Sequence, residues 1–353
     1  MSTTDISWAY RRAIGRRTLL LLALVGAGLA AMVVDLVVGA GTLTLPQVVA
    51  GLISPSTVDP TTRVVLWDIR APVTFVAALT GISLALSGSL MQTVLNNQLA
   101  EPFTLGISSA AGFGAAVAIV FQGFINGAAA WLPPDLLVAA NAFAFSLLTV
   151  IIISVLARRS GMGIETVTLL GIAVHFIFSA LLAFAQYVAD PDQLQTLVFW
   201  LLGSLQRATW TKVAINAGIL VLVLPILLSH AWSLTALRGF SGQAVVLGIR
   251  VERLRTMMLF AAALLAGSAT ATIGIVGFVG LVAPHMARML VGEDQRFSLP
   301  VTAACGMLVL TLSSLVSKLI LPGVVLPIGM VTALLGIPFF LAQILRNRHG
   351  RVA

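Results

Sequence analysis

Apolar residues run through this chain in long unbroken stretches, separated by short polar segments. Each long stretch is about 20 residues, the length of helix that crosses a hydrocarbon core of ~30 Å. The pattern predicts spans near Thr18–Val38, Val73–Leu95, Thr104–Phe121, Leu136–Ala157, Val167–Val188, Val213–His230, Thr256–Ile275, Val279–Leu290, Leu299–Leu319 and Ile328–Leu345. The eighth is short, so the pattern alone allows nine spans or ten. Spans in lipid are helices when each must satisfy its own backbone groups. A lipid-facing barrel would need short alternating segments instead. The expected fold class is therefore an all-α polytopic membrane protein with about ten transmembrane helices.

Composition agrees. The chain is 59% hydrophobic and 9% charged, against about 25% charged in ordinary soluble domains. Its mean hydropathy is +1.06. No soluble domain is expected, and 1–353 reads as a single membrane domain. The longest polar stretches are 42–70, 190–212 and 233–255. The apolar stretch after Arg16 and Arg17 is longer than the ~7–15-residue core of a cleaved signal peptide, and it reads as a first helix that is kept.

Charge orients the spans. The net charge of +8 does not point to nucleic acid, because the cations lie in short clusters between apolar runs. In the ten-span arrangement one side holds Arg11, Arg12, Arg16, Arg17, Arg158, Arg159, Arg238, Arg250, Arg253, Arg255, Arg288, Arg296, Arg346, Arg348 and Arg351. The other side holds Arg63, Arg70, Arg207, Lys212 and Lys318. The excess marks the first side as cytoplasmic. An even count places both basic termini there, in a multi-pass protein of the cytoplasmic (inner) membrane. Nine spans would strand one of them outside.

Chemistry is sparse. The chain has no G-x-x-x-x-G-K-[ST] phosphate loop, no H-E-x-x-H and no G-x-S-x-G. No catalytic or metal-ligating residue is singled out. The lone Cys305 lies in an apolar run and reads as a small packing residue. Ion-coupled carriers place ionisable relays in mid-membrane. Only His175 in the fifth span resembles one, and a lone polar ring in a bundle is more often a packed, hydrogen-bonded residue. Gly274, Gly277 and Gly280 recur every third residue. Close helix packing and a broken helix beside a pathway are both open readings.

Three segments are more specific: Ala85-Leu-Ser-Gly-Ser-Leu-Met-Gln-Thr-Val-Leu-Asn-Asn-Gln-Leu-Ala-Glu-Pro-Phe-Thr-Leu-Gly-Ile-Ser108, Gly277-Phe-Val-Gly-Leu-Val-Ala-Pro-His-Met-Ala-Arg288, and Leu326-Pro-Ile-Gly-Met-Val-Thr-Ala-Leu-Leu-Gly-Ile-Pro-Phe-Phe340. A weaker block is Phe199-Trp-Leu-Leu-Gly-Ser-Leu205. In order and spacing these blocks closely resemble the FecCD-type permeases, which import ferric siderophores, haem and vitamin B12. The resemblance covers most of the chain, from about Val65 to Leu345.

It implies a permease of the type II ATP-binding-cassette importer fold, working as a homo- or heterodimer with a second permease subunit. Two ATPase subunits would dock on the cytoplasmic face and bind ATP and Mg, leaving this chain without a cofactor of its own and without enzymatic activity. A periplasmic or lipid-anchored substrate-binding protein would dock outside. An iron chelate such as a ferric siderophore is the leading cargo; vitamin B12 and haem are the alternatives in the family. An ion-coupled secondary transporter is the alternative outside it.

The resemblance also assigns candidate sites. The loop 233–255 becomes the ATPase-coupling segment, with Leu237, Arg238, Gly239, Phe240, Ala244, Leu247 and Gly248. A short helix is expected between Gly239 and Gly248, with Phe240, Ala244 and Leu247 on one face. Asn96, Asn97, Leu99 and Glu101 would narrow the cytoplasmic end of the pathway, or simply cap helix ends. His175, Ser179 and Gln186 are candidates to line the pathway. Arg63, Arg70 and Lys318 are candidates to meet acidic residues of the binding protein, or to anchor span ends at headgroups. Three departures from the family pattern stand out. Gln98 replaces a usual proline, Val73 replaces a second arginine, and Arg238-Gly-Phe-Ser-Gly242 lacks a usual acidic residue.

Overall fold

A computed structural model describes residues 3–39, 43–56, 58–121, 133–159, 163–239, 244–321 and 323–349. The long helices are α1 (Thr3–Val37), α4 (Ala71–Val94), α5 (Ile107–Val120), α6 (Pro134–Arg159), α7 (Ile164–Val188), α9 (Trp210–Ser229), α11 (Val251–Ile273), α12 (Val279–Val291), α13 (Gln295–Leu319) and α14 (Ile328–His349). Each coincides with one expected span. Seven helical stretches, those holding α1, α4, α6, α7, α9, α11 and α13, are long and apolar enough to cross a membrane. The apolar parts of α5, α12 and α14 are shorter.

The polar segments hold helices too. These are α2 (Leu45–Ile53), α3 (Pro60–Val64), α8 (Pro191–Leu201) and α10 (Ala231–Gly239). A wide π turn at Val65–Arg70 joins α3 to α4. The start of α8 follows from sequence: Asp190 accepts from the Gln193 N–H at 2.8 Å, and the Gln193 side chain accepts from the Asp190 N–H at 3.2 Å. Pro191 sits in the first turn, where its missing N–H does no harm.

Helix α4 is the centre of the bundle. It packs against α13, α11, α12 and α9, and nearly all of its residues are buried. Helix α11 is equally enclosed, whereas only 22% of the apolar windows of α1, α7 and α9 is buried. Exposed apolar faces of this kind are what the composition requires of a chain whose surface is largely turned away from water. Small residues allow the central approach. A Cβ on Gly81 of α4 would collide with the Gly306 carbonyl of α13, and one on Gly88 with the Gly280 carbonyl of α12.

The structure departs from expectation in the coupling loop. Helix α10 ends at Gly239, residues 244–248 form turn, and 240–243 lie outside the described residues. Ala231–Arg238 holds good helix formers, whereas Gly239, Gly242 and Gly248 each weaken a helix interior by about 1 kcal/mol. Gly248 has φ +76°, which ends any helix there. Ala244 is buried while Leu247 is half exposed, so they do not share a face. Phe240 lies outside the described residues.

Candidate translocation site

The four sequence blocks meet around one irregular segment, Gly274–Phe278, between α11 and α12. At its first end, Gly274 has φ +84° and sits against the Trp200 carbonyl and Gly203. The Ser204 N–H donates to the Ile273 carbonyl at 2.7 Å. The Ile328 and Gly329 N–H groups donate to the Gly203 and Leu202 carbonyls, both at 3.1 Å. The weak block 199–205 thus ties the end of α11 to the start of α14. Beside it opens a cavity of about 890 Å³ lined in part by Asp135, Asp192, Trp200, Arg207 and Lys212.

At its other end, Phe278 holds φ +67°, a conformation costing a bulky residue roughly 1–3 kcal/mol. Two contacts fix it. Its N–H donates to the Glu101 carboxylate, and its side chain fills the space a Cβ on Gly336 of α14 would need. Non-helical backbone at membrane depth survives only where protein buries it or where it borders a water-filled cavity. Gly280 permits close packing, and Gly274 begins the break.

The turn 95–106 lies beneath this segment. Asn96 has φ +44°, and the Asn96 and Asn97 N–H groups return to the Thr93 and Gln92 carbonyls at 3.3 and 3.1 Å. This left-handed closure satisfies the last carbonyls of α4. The Asn97 side chain accepts from the Leu99 N–H at 2.9 Å. Both asparagines thus act as caps; Leu99 is exposed, and Glu101 is 9% exposed.

Burial raises the Glu101 carboxyl from 4.5 to about 7, opposed by the Phe278 N–H. The folded chain then binds the proton more tightly than the unfolded chain. Stability therefore falls as pH rises from about 4.5 to about 7, and levels off above. Glu101→Gln should flatten this slope in a detergent melting series from pH 5 to pH 8. A mutant slope equal to the wild-type slope refutes the assignment.

The candidate lining residues are half buried. The His175 ring Nδ1 and the Ser109 hydroxyl are 2.7 Å apart, and Phe103 of the turn lies 5.4 Å from the ring. The turn, α5 and α7 therefore meet at His175, an intramolecular contact. The exposed face of α7 is apolar, with Ile172, Phe176, Ile177, Leu181, Phe184 and Tyr187. Ser179 and Gln186 border it.

Among the docking candidates, Arg63 is exposed. Arg70 is buried and donates to the Leu36 and Val37 carbonyls, both at 2.7 Å. Lys318 pairs with fully buried Asp35 at 2.7 Å, and Asp35 also accepts from Thr74 at 2.6 Å. Arg70 and Lys318 therefore point inward, where they hold the ends of α1, α4 and α13 together. A charge near a span end that cannot reach water must find a partner, and here the partner is α1.

Sequence reasoning missed a polar group at the arginine-rich end. Gln92 donates to the Gly280 carbonyl at 3.0 Å. Arg288 donates to the Gln92 side-chain oxygen at 2.6 Å and lies 3.9 Å from Glu293. Arg238 of α10 forms an ion pair with the same Glu293. Gln92 and Arg288 lie inside the quoted blocks, and a buried amide beside a buried arginine was the available signal.

Comparison with known proteins fits this arrangement. Residues 18–346 match the model of the FecCD transport family. The hemin transport system permease of Yersinia pestis is 36% identical over 81% of this chain and 85% of its own. The vitamin B12 import system permease of Vibrio cholerae is 34% identical over 81% of this chain and 84% of its own. A solved inward-facing structure of a metal-chelate type ABC transporter superposes with a TM-score of 0.81 at 29% identity, covering 92% of this chain and 98% of that one. This multi-pass chain is therefore an ABC importer permease and belongs to the FecCD transport family.

Proposed function

We propose that the chain is the membrane-spanning subunit that carries a metal chelate, in the first place a ferric siderophore, through the cytoplasmic membrane. The observation that carries this reading is the convergence of all four sequence blocks on Gly274–Phe278, a backbone break gripped by the turn 95–106 and by α14. In this reading 1–353 is one permease domain with ten spans, and the arginine-rich end faces the cytoplasm. Two ATPase subunits bind there with ATP and Mg, against α10 and the exposed Val245–Leu247. A second permease subunit, identical or different, covers the apolar face of α7. A substrate-binding protein meets the opposite end near Arg63 and the cavity of Asp135 and Arg207.

Hemin and vitamin B12, the cargoes named for the two relatives, are both bulky metal chelates, which supports that class of cargo here. The ion-coupled alternative lacks support. Asp35 is locked to Lys318 and Thr74, and a locked carboxylate does not relay protons.

The test is uptake into proteoliposomes holding the permease, its ATPase and its binding protein. Iron-labelled siderophore, hemin and cobalamin are offered in turn. One cargo should enter, and only with ATP. Entry that follows a proton or sodium gradient without the ATPase refutes the proposal.

A further inference from the structure

We propose that Arg238, Glu293, Arg288 and Gln92 form a polar relay that carries movement of α10 to the backbone break at Phe278. The proposal rests on the reading that the α10 loop meets an ATPase subunit.

The relay runs through the buried side chains of Arg238, Arg288 and Gln92, with half-exposed Glu293 joining the two arginines as an ion-pair partner. It starts at Arg238, whose side chain is 8% exposed, and passes to Glu293 in the turn between α12 and α13. Glu293 also faces Arg288 on the last turns of α12. Arg288 grips the Gln92 side-chain oxygen on α4, and the Gln92 amide donates to the Gly280 carbonyl in the first turn of α12. Gly280 is two residues from Phe278, whose N–H is held by Glu101 of the turn 95–106. A second tie fixes α10 to the same place: the Gln295 N–H donates to the Thr235 hydroxyl at 2.9 Å.

Three features make this a transmitting element and not simply a set of caps. The Arg288–Gln92 link is a short, directional, charge-assisted hydrogen bond, and Arg288 is drawn to Glu293 by charge at 3.9 Å, so a shift of Glu293 displaces Arg288 and then Gln92. The chain links α10, α12 and α4 across separations of 55, 188 and 196 residues, so it joins elements that backbone connectivity does not hold together. Its far end is a strained left-handed phenylalanine, and a strained joint held by neighbours is a place where two arrangements lie close in energy.

The decisive variant is Gln92→Glu. It is nearly isosteric and keeps the acceptor for Arg288, but an ionised carboxylate cannot donate to the Gly280 carbonyl. Glu293→Gln breaks the two arginine links at the other end, and Glu293→Asp restores the charge. Each is assembled as the full complex in proteoliposomes, and uptake of iron-labelled siderophore, hemin and cobalamin is measured beside ATP hydrolysis. Gln92→Glu and Glu293→Gln should each lower uptake per ATP hydrolysed by roughly tenfold, with the complex still intact by size exclusion. The double variant should fall no further, and Glu293→Asp should recover part of the loss. Normal uptake per ATP in both single variants, or losses that multiply in the double variant, overturns the relay. Should either variant fail to assemble, electron-spin distances between labels at Leu99 and Val246 in the wild-type complex decide. A distance that stays fixed through the ATP cycle overturns the relay. Wild-type vesicles that import none of the three cargoes refute the importer reading, whereas an active wild type with normally coupled variants refutes the relay alone.

Discussion

Lys318→Met lowers the apparent melting temperature of the detergent-solubilised protein by roughly 5–10 °C, and adding Asp35→Asn restores more than half of that loss. The reason is the position of Asp35, fully buried in α1 with Lys318 and Thr74 as its partners. Removing the ammonium leaves a fully buried carboxylate with the Thr74 hydroxyl as its hydrogen-bond donor and only the neighbouring Arg70 guanidinium to offset its charge. Breaking one half of such a pair costs about 3–5 kcal/mol, whereas neutralising both halves is nearly neutral. Lys318 also donates to the Asp35 carbonyl at 3.1 Å. That bond is lost in both variants, so recovery is incomplete. Equal melting temperatures for the single and double variants would show that the pair does not hold α1 to α13.

Gly81→Leu prevents recovery of folded protein, while Gly218→Leu does not. Gly81 and Gly306 face each other where α4 crosses α13, and each lies where the other's carbonyl would meet a Cβ. These two helices form the most extensive contact in the bundle. A side chain there must separate two backbones that also hold α11 and α12. Overpacking a tight core costs about 1–3 kcal/mol when side chains alone give way, and more when backbone must move. Helix association in lipid depends on this fit, since lipid tails are as apolar as leucine. Gly218 of α9 has nothing within 4 Å of its Cβ position and faces outward. Size exclusion in mild detergent reads the result: aggregation for Gly81→Leu and a wild-type peak for Gly218→Leu. A symmetric, wild-type peak for Gly81→Leu would refute the close crossing.

Local order was legible where it is set by neighbours in sequence. The spans were read from runs of apolar residues, and every expected span holds a helix. The capping box at Asp190–Gln193 was equally readable from its residues, but the 190–212 stretch was read only as a polar segment because length and hydropathy alone were used. A helix was expected between Gly239 and Gly248 from the spacing of Phe240, Ala244 and Leu247, and the described residues 244–248 form turn because Gly248, at φ +76°, favours one.

The site residues divide in the same way. Asn96, Asn97 and Glu101 were recognised from their block, and the turn they form is where the backbone break is held. Arg70 and Lys318 were given outward roles from their place near span ends, and each faces a partner inside the chain. For His175 the packed, hydrogen-bonded reading stood beside the pathway reading, and the ring does meet Ser109. Gln92, Arg288 and Glu293 drew no attention singly, since each gains its meaning from the others.

By itself, the sequence determined the solvent of this protein, the positions of its helices, the bias in its charges and the family to which it belongs. Those follow from hydropathy, charge and motif order, all of which act over short windows of chain. Tertiary structure alone decided which charges are paired and which are free. Lys318 meets Asp35 across 283 residues, and Arg288 meets Gln92 across 196. In a medium without water a polar side chain takes whichever partner the packing brings within 3 Å or so. Helix crossing geometry, set by glycines such as Gly81 and Gly306, selects that partner.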